Sequence, residues 1–418
     1  MEYSFVKDDK FIVKAKKKNY KAEKKKRKRG IAMKRVYLDN GSTSYPKAPG
    51  VGQAVCDFIE HIGTNVNRGG YQEAYAAEDV IIETREKLCR LFNFDKLKNV
   101  IFTPSITYSL NYIIKGYLRP GDHVLVSALE HNAMMRPLNQ MVDQGVTFDR
   151  IPCSQQGELQ LDAIEPLLKP NTKAIMMLHA SNVCGTLMPL EQVGEICQKH
   201  GLTFVVDAAQ TAGSFPIDMK KQHIDVLAFT GHKSLLGPQG IGGFLVSDEV
   251  ASQMIPLVTG GTGSISDQEI QPDFLPDKFE SGTQNIPGIY GLHAALDYLE
   301  KTGIDKIHAH EMALCRDFIE KVDALGNPNI RLVGTRDMSK RGPVVSLDFI
   351  GEDNAEISFR LDSEYGISTR CGMHCAPNAH KTLGTYPQGT VRFAFGFANT
   401  TEDVDWAVRA IGEILQKS

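Results

Sequence analysis

The feature that most constrains the fold is an alternation of short apolar runs with helical stretches through the middle of the chain. The runs, rich in β-branched residues, are HVLVSA (123–128), AIMMLHA (174–180), TFVVDA (203–208), VLAFT (226–230) and GGFLVS (242–247). Between two of them, Leu190, Val193 and Ile196 recur at helical spacing. Apolar strands that alternate with such helices are typical of a mostly parallel sheet that is buried on both faces. The sequence therefore predicts an α/β fold with a large sheet between helices.

The pattern changes after SGTQNIPG (281–288). A helical stretch over 289–301 leads to two further strands, VVSLDFI (344–350) and TVRFAFG (390–396), and then to a closing helix that contains Trp406. We therefore predict two domains. The large domain covers residues 34–290, with its first residues packed on the other domain, and a smaller α+β domain covers residues 291–418.

The first 33 residues form a basic extension. Residues 1–32 hold 13 Lys and Arg against 4 Asp and Glu, whereas the remainder holds 34 against 46. Such a block is typical of a disordered tail, and it can contact nucleic acid or an anionic surface. A second interpretation is that the chain starts at Met33, because MKRVYLDN begins a strand at once.

Composition excludes a membrane-spanning class. The chain has 418 residues, of which 42% are apolar and 23% charged, as in ordinary globular proteins. It has no run of about 20 apolar residues and no apolar signal-peptide core, so we expect a cytoplasmic protein. The eight cysteines are scattered, and we expect them to be reduced thiols.

Reactive side chains follow the predicted strands of the large domain at their carboxyl ends. They are His131, Asn182, Asp207, Gln210, Thr230, His232 and Lys233. In open α/β sheets, ligands bind beyond these strand ends. A lysine can condense with an aldehyde, a carboxylate can pair with a pyridine nitrogen, and an imidazole can stack on a ring. The helix start in SITYSLN (105–111) suits a phosphate. Together these groups favour pyridoxal phosphate as cofactor.

The run TRCGMHCAPNAH (369–380) contains two cysteines and two histidines. It could be half of a metal site, a redox pair, or one reactive thiol with a bystander. Structural zinc usually takes four Cys or His ligands in paired spacings, and the chain offers no second cysteine pair. We therefore predict no metal site and keep a zinc-binding or nucleic-acid-binding protein as a remote alternative.

Seven motifs, in order along the chain, resemble those of class V aminotransferase-like enzymes. The motifs are YLDNGSTSYPK (37–47), LEHNAMMRPL (129–138), HASNVCGTLMP (179–189), VVDAAQTAG (205–213), FTGHKSLLGPQGIGG (229–243), FESGTQNIPG (279–288) and RCGMHCAPNAHKTLGT (370–385). Within that class they are similar to the cysteine desulfurase and selenocysteine lyase branch, over essentially all of residues 34–418. The resemblance implies the fold of type I pyridoxal phosphate enzymes and a homodimer with active sites at the interface.

The resemblance also implies a role for each motif residue. Lys233 matches the lysine that holds the cofactor, Asp207 the partner of its pyridine nitrogen, and His131 the stacking residue that assists proton transfer. The remaining cofactor contacts are implied for Asn182 and Gln210 at the phenolic oxygen, for Thr107, Thr230 and His232 at the phosphate, and for Thr283 lent by the neighbouring subunit. Arg392 matches the residue that binds the substrate carboxylate. Arg370 and Asn182 are further expected substrate contacts, and Cys375 matches the nucleophile, with His374 and Arg370 as its expected electrostatic neighbours.

The implied reaction converts L-cysteine to L-alanine and leaves a persulfide on Cys375, from which an acceptor protein could take the sulfur. A selenocysteine lyase acting on L-selenocysteine, and a transaminase or epimerase of the same fold, stay open as alternatives. The chain departs from the family pattern at Gly41 and Ser42, where two alanines are usual. Cys371 also stands where a small non-thiol residue is usual. It is either an ordinary turn residue or a thiol that resolves a persulfide on Cys375.

Overall fold

The computed structural model of the protein describes residues 34–66, 70–265 and 267–416. The predicted basic extension over residues 1–33 lies outside the described residues. No helix within the described ranges is long and apolar enough to cross a membrane.

A seven-stranded sheet forms the centre of the larger part of the fold. Numbered along the chain after β1 (Val36–Tyr37), its strands are β2 (Val100–Thr103), β3 (His123–Ser127), β4 (Thr147–Ile151), β5 (Thr172–Leu178), β6 (Thr203–Asp207), β7 (Val226–Thr230) and β8 (Gly242–Val246). Their order across the sheet is β2-β8-β7-β6-β5-β3-β4. β8 runs antiparallel to both of its neighbours, and the other pairs are parallel. The predicted, mostly parallel α/β sheet is confirmed.

Helices cover both faces of this sheet. They are α1 (Val51–Asp57), α2 (Gln72–Leu91), α3 (Ile106–Tyr117), α4 (Asn132–Val142), α5 (Ile164–Leu167), α6 (Leu190–His200), α7 (Asp248–Gln253) and α8 (Ile286–Thr302). Successive residues of β5 alternate between two hydrophobic cores: Ile175 and Met177 belong to one, Ala174 and Met176 to the other. This alternation is the period of a strand whose two faces are both buried, and it explains why the central runs are apolar throughout.

A second, smaller sheet is antiparallel. Its strands are β9 (Ile330–Val333), β10 (Val344–Phe349), β12 (Arg370–Gly372) and β13 (Thr390–Ala394), in the order β12-β13-β10-β9. The helices in this part of the chain are α9 (Ile304–Ala324), α10 (Asn354–Tyr365), α11 (Pro377–Thr382) and α12 (Thr401–Gln416). β1 pairs in parallel with β11 (Ile367–Ser368), and Val36 and Leu38 join the core of this part. The N-terminal residues of the described chain therefore pack with its C-terminal part.

Helix α8 runs unbroken through the predicted domain boundary at 290/291. Its buried residues Ile289, Leu292 and Leu296 belong to the core of the large sheet. The next helix, α9, contributes Leu314 and Phe318 to the core of the small sheet. We therefore propose that the boundary lies near Gly303, between the two helices.

Candidate active site

Asp207 and Lys233 lie beyond the carboxyl ends of adjacent parallel strands. Asp207 is the last residue of β6, and its Oδ1 accepts a hydrogen bond from Ala209 N at 2.9 Å. Burial raises the pKa of Asp207, although the Ala209 N–H and the Lys233 ammonium oppose this. Burial also lowers the pKa of Lys233 to about 8, against the attraction of Asp207. Lys233 therefore has a substantial fraction of neutral amine near pH 7.5, which is the form that acts as a nucleophile or base.

His131 is fixed as a neutral ring. It is the N-cap of α4, and its Nδ1 accepts a hydrogen bond from Ala133 N at 3.0 Å. Because Nδ1 is an acceptor, the proton of the neutral ring lies on Nε2. Burial lowers the pKa of His131 to about 4, and the positive charges of Lys233 and Arg370 add to the effect. The ring is therefore uncharged at neutral pH, with its Nε2–H available as a donor.

Three buried polar atoms in this group have no hydrogen-bond partner among the described residues. They are Asn182 Oδ1, Thr230 Oγ1 and His232 Nδ1. Buried polar atoms are nearly always paired, so a cluster of unpaired ones at the strand ends is the environment that a polar ligand would complete. Burial also lowers the pKa of His232 to about 4, so this ring is neutral.

The start of helix α3 borders the same group. Gly242 pairs with Thr230 across the sheet, and a Cβ added at Gly242 would lie 3.1 Å from the Ser105 backbone. The same Cβ would lie 2.8 Å from Phe229 O, so the close packing of β8 between β7 and this helix start favours glycine. Thr107 lies in the first turn of α3 and is exposed. Free N–H groups at a helix start and a nearby threonine hydroxyl suit a phosphate, so the residues present fit pyridoxal phosphate.

Gln210 lines a cavity together with Lys233 and Gly41, whereas Thr283 does not. The Gln210 amide donates from Nε2 to Gly41 O at 3.1 Å. Thr283 is exposed and lines a cavity of about 290 Å³ together with Asn65 and Arg85, and Lys233 is not part of that lining. Thr283 and Lys233 thus line separate cavities of the single chain.

Arg392 lies in the middle of β13, and its side chain is 1% exposed. Its Nη2 donates to Asp39 Oδ1 and to Ser42 Oγ, each at 2.7 Å, and its Nη1 donates to Asn182 O at 3.0 Å. The Ser42 hydroxyl also donates to Asp39 Oδ1 at 2.8 Å and accepts from Arg370 Nη1 at 3.2 Å. Ser42, one of the departures from the family pattern, therefore bridges the two arginines. The motif analysis missed Asp39, although it stands in the quoted YLDN motif.

Cys375 is exposed, and the guanidinium of Arg370 lies beside it, with Nη2 3.5 Å from Sγ. His374 does not share this role, contrary to the prediction. Its ring is buried, Nε2 is bonded to Thr390 Oγ1 at 3.0 Å, and burial, aided by Arg392, lowers the pKa of His374 well below its ordinary value. A neutral ring bonded to a threonine supplies no positive charge, whereas the Arg370 guanidinium lies beside the Cys375 sulfur.

Cys371 and Arg370 lie on opposite faces of the small sheet. It follows Arg370 in β12, and successive residues of a strand point to opposite faces. The Cys371 side chain packs against the core of the small sheet, and burial raises its pKa. This orientation disfavours the hypothesis of a thiol that resolves a persulfide on Cys375.

His380 is fully buried, and its Nδ1 bonds to Thr385 Oγ1 at 2.7 Å. Within residues 34–66, 70–265 and 267–416, no three His, Cys, Asp or Glu residues come together as a metal site would require. Of the four Cys and His side chains in this motif, Cys371, His374 and His380 are wholly or partly buried, and Cys375 is exposed.

The peptide before Lys233 is held by a contact that sequence analysis missed. Lys47 Nζ donates to His232 O at 2.8 Å, and Ser44 N donates to the same oxygen at 3.0 Å. Lys47 also donates to Thr43 Oγ1 and Ser44 Oγ at 3.1 Å, so each of its three protons has an acceptor. These bonds connect the loop after β1 to the loop that carries Lys233. The only sequence signal was the position of Lys47 at the end of the first quoted motif.

The family model for class-V aminotransferases matches residues 36–406. The chain belongs to the class-V aminotransferase family. Enzymes of this family depend on pyridoxal phosphate. Similar curated members include probable cysteine desulfurases of Halobacterium salinarum, 32% identical with 91% of this chain and 92% of that protein covered, and of Halalkalibacterium halodurans, 32% identical with 92% and 93% covered. The relative from Mycolicibacterium paratuberculosis is also 32% identical, but this chain spans only 55% of its length.

Solved structures of this family have the same fold. The apo structure of a cysteine desulfurase from Thermococcus onnurineus has a TM-score of 0.84 and 30% identity, with 92% of this chain and 95% of that chain covered. The cysteine desulfurase CsdA from Escherichia coli has a TM-score of 0.81 and 31% identity, with 91% and 94% covered.

Proposed function

We propose that this class-V aminotransferase is a pyridoxal phosphate-dependent cysteine desulfurase that converts L-cysteine to L-alanine and retains the sulfur on Cys375. The observation that carries the proposal is the position of the Cys375 thiol. The thiol lies beside Arg370. Arg370 and the buried Arg392 both donate to the Ser42 hydroxyl. The positive charges of both arginines also act on Lys233, which in turn is attracted by Asp207. Relatives named as cysteine desulfurases over most of the chain support the same activity.

Each part of the proposed cofactor would contact particular residues. When bound, pyridoxal phosphate supplies an aldehyde that joins amines and a protonated ring that accepts electrons. Lys233 would hold the aldehyde, Asp207 the ring nitrogen, and His131 one face of the ring. Asn182 and Gln210 would contact the phenolic oxygen. Thr107, Thr230 and His232 would hold the phosphate.

The chain's own residues would then act on the substrate. Arg392 would bind the substrate carboxylate, for which a planar guanidinium suits better than an ammonium. Lys233, as a neutral amine, would take the α-proton. The Cys375 sulfur, which lies beside Arg370, would attack the substrate sulfur as a thiolate. A sulfur–sulfur bond forms at Cys375 as the carbon–sulfur bond of the substrate breaks. The β-carbon would keep the bonding electrons and take a proton, the α-carbon would regain a proton from Lys233, and alanine would leave.

We further propose a homodimer in which Thr283 of each subunit completes the partner's phosphate site. Two observations support it: Thr283 and Lys233 of one chain line separate cavities, and exposed large apolar residues recur between positions 255 and 274. Those residues are Ile255, Leu257, Val258, Ile265, Ile270 and Phe274. Mixing inactive Lys233→Ala and Thr283→Ala subunits should restore activity in mixed dimers. A monomer in light scattering would contradict this part. A cytoplasmic location and a sulfur-acceptor protein complete the proposal.

The desulfurase proposal is tested by measuring alanine and protein-bound persulfide from L-cysteine and from L-selenocysteine. The wild type should form both products from cysteine, and Cys375→Ala should form neither. Cys371→Ala is the matched control, because it removes a neighbouring thiol from the opposite face of the sheet. If Cys375→Ala retained full cysteine turnover, the proposed role of the thiol would be wrong. Turnover of selenocysteine alone would instead favour a selenocysteine lyase.

A further inference from the structure

The turn that carries Cys375, which we call the nucleophile turn (residues 373–376), has an unusual backbone. Its two central residues both lie in the left-handed region, His374 with φ 46° and Cys375 with φ 60°. The turn closes with a hydrogen bond from Ala376 N to Met373 O at 2.9 Å. Left-handed backbone is unfavourable for residues that carry a Cβ. Contacts from outside the turn must therefore help to maintain this conformation.

Two such contacts come from the large domain, and they meet the carbonyls of the two left-handed residues. Asn182 Nδ2 donates to His374 O at 2.8 Å. Asn132 N donates to Cys375 O, also at 2.8 Å. Asn182 is buried beyond β5, and Asn132 is the first residue of α4, directly after His131. The nucleophile turn is thus tied to the two loops that carry predicted cofactor residues.

We propose that Asn182 and the Asn132 N–H form a two-point clamp that holds the nucleophile turn in its left-handed conformation and so keeps the Cys375 thiol beside Arg370. Asn182 is then a positioning residue for the nucleophile as well as a cofactor contact, and only the second role rests on the proposed function. The two roles are compatible in one side chain. An amide nitrogen carries two hydrogens; one is directed at His374 O, and the other stays available to a ligand.

Two substitutions remove the two hydrogen bonds of the clamp separately. Asn182→Ala removes the side-chain donor. Asn132→Pro removes the backbone donor at the first helical position, where proline is well tolerated. The preceding residue, His131, already has the extended backbone that proline requires, with ψ 154°. Asn132→Ala is the control that keeps the N–H. Asn99→Ala removes another buried asparagine, whose Nδ2 donates to Val246 O at 2.9 Å elsewhere in the fold.

The measurement is the rate at which iodoacetamide alkylates Cys375, followed by mass spectrometry on the full chain with and without pyridoxal phosphate. Asn182→Ala and Asn132→Pro should each slow the alkylation about fivefold, the factor that corresponds to one hydrogen bond. The reason is that a released turn no longer holds Sγ exposed beside Arg370 Nη2, so the thiol spends less time in the position from which it reacts. The two controls should stay within about twofold of the wild type.

Rates that are unchanged or faster in both clamp variants would overturn the proposal, and so would an equal slowing in Asn99→Ala. Alkylation of Cys371 in the same samples gives an internal reference for general loosening of the small domain. Alkylation of the protein without cofactor does not depend on turnover. A negative result for the clamp variants would therefore leave the desulfurase proposal unaffected. Conversely, slowed alkylation in a protein that does not desulfurate cysteine would support the clamp and contradict the proposed function.

Discussion

Arg392→Lys tests how the substrate side of the site is built, because it keeps the positive charge and removes the planar fork. The guanidinium donates to Asp39, Ser42 and Asn182 O from two nitrogens, and its side chain is 1% exposed. The single ammonium of a lysine could retain the bond to Asp39, but it could not also reach Ser42 Oγ and Asn182 O. Losing the bond to Ser42 costs about 1 kcal/mol, and leaving Asn182 O as a buried acceptor without a partner costs about 2 kcal/mol. The expected destabilisation is therefore about 3 kcal/mol.

Two assays check this value. The midpoint of thermal unfolding should fall by about 5 °C, given the usual conversion for large domains. The kcat/KM for L-cysteine should fall at least about tenfold, because one hydrogen bond to a charged carboxylate is lost. Arg331→Lys in β9 of the same sheet is the matched control: its Nη2 bonds Asp348 at 2.9 Å, but its side chain is 40% exposed. An exposed pair of this kind contributes about 1 kcal/mol or less. If the two variants had equal midpoints and equal kcat/KM, the reasoning from the buried fork would be refuted.

Three further predictions concern the other side chains of the site. The rate at which the protein binds pyridoxal phosphate, followed by absorbance, should rise with pH up to about 8 and then level off. The reason is that the lowered pKa of Lys233 makes its amine neutral above that pH. A rate that keeps rising to pH 10 would contradict this prediction. His131→Ala should lower stability by about 1 kcal/mol through loss of the N-cap, whereas His131→Asn, which also caps helices, should unfold at nearly the wild-type temperature while losing the ring. Cys371→Ala should leave the peroxide sensitivity of Cys375 unchanged, because the two thiols lie on opposite faces; a clear protective effect would revive the resolving thiol.

The central strands and the residues proposed for the site could be predicted from the residue pattern. β-branched runs and helical spacing predicted the central strands because burial of a strand on both faces leaves a continuous apolar run. Residues such as Asp207 and Lys233 could be assigned to one edge since the carboxyl ends of parallel strands meet there. The direction of β8 was not predicted, because an apolar run does not indicate whether a strand is parallel or antiparallel to its neighbours. The continuation of α8 through residue 290 was not predicted either, because the sequence of a helix does not indicate which of two cores it packs on.

Packing between distant segments fixes which groups are charged and where each side chain points. Asp39 and Arg392 stand at opposite ends of the chain, and their ion pair exists because β13 passes next to the loop after β1. His374 is neutral because it is buried and bonded to Thr390, although it adjoins the exposed Cys375 in sequence. Cys371 and Cys375 look equivalent in a motif, but strand alternation and the left-handed turn separate them. Desolvation and long-range hydrogen bonds depend on packing between distant segments, which no local pattern specifies.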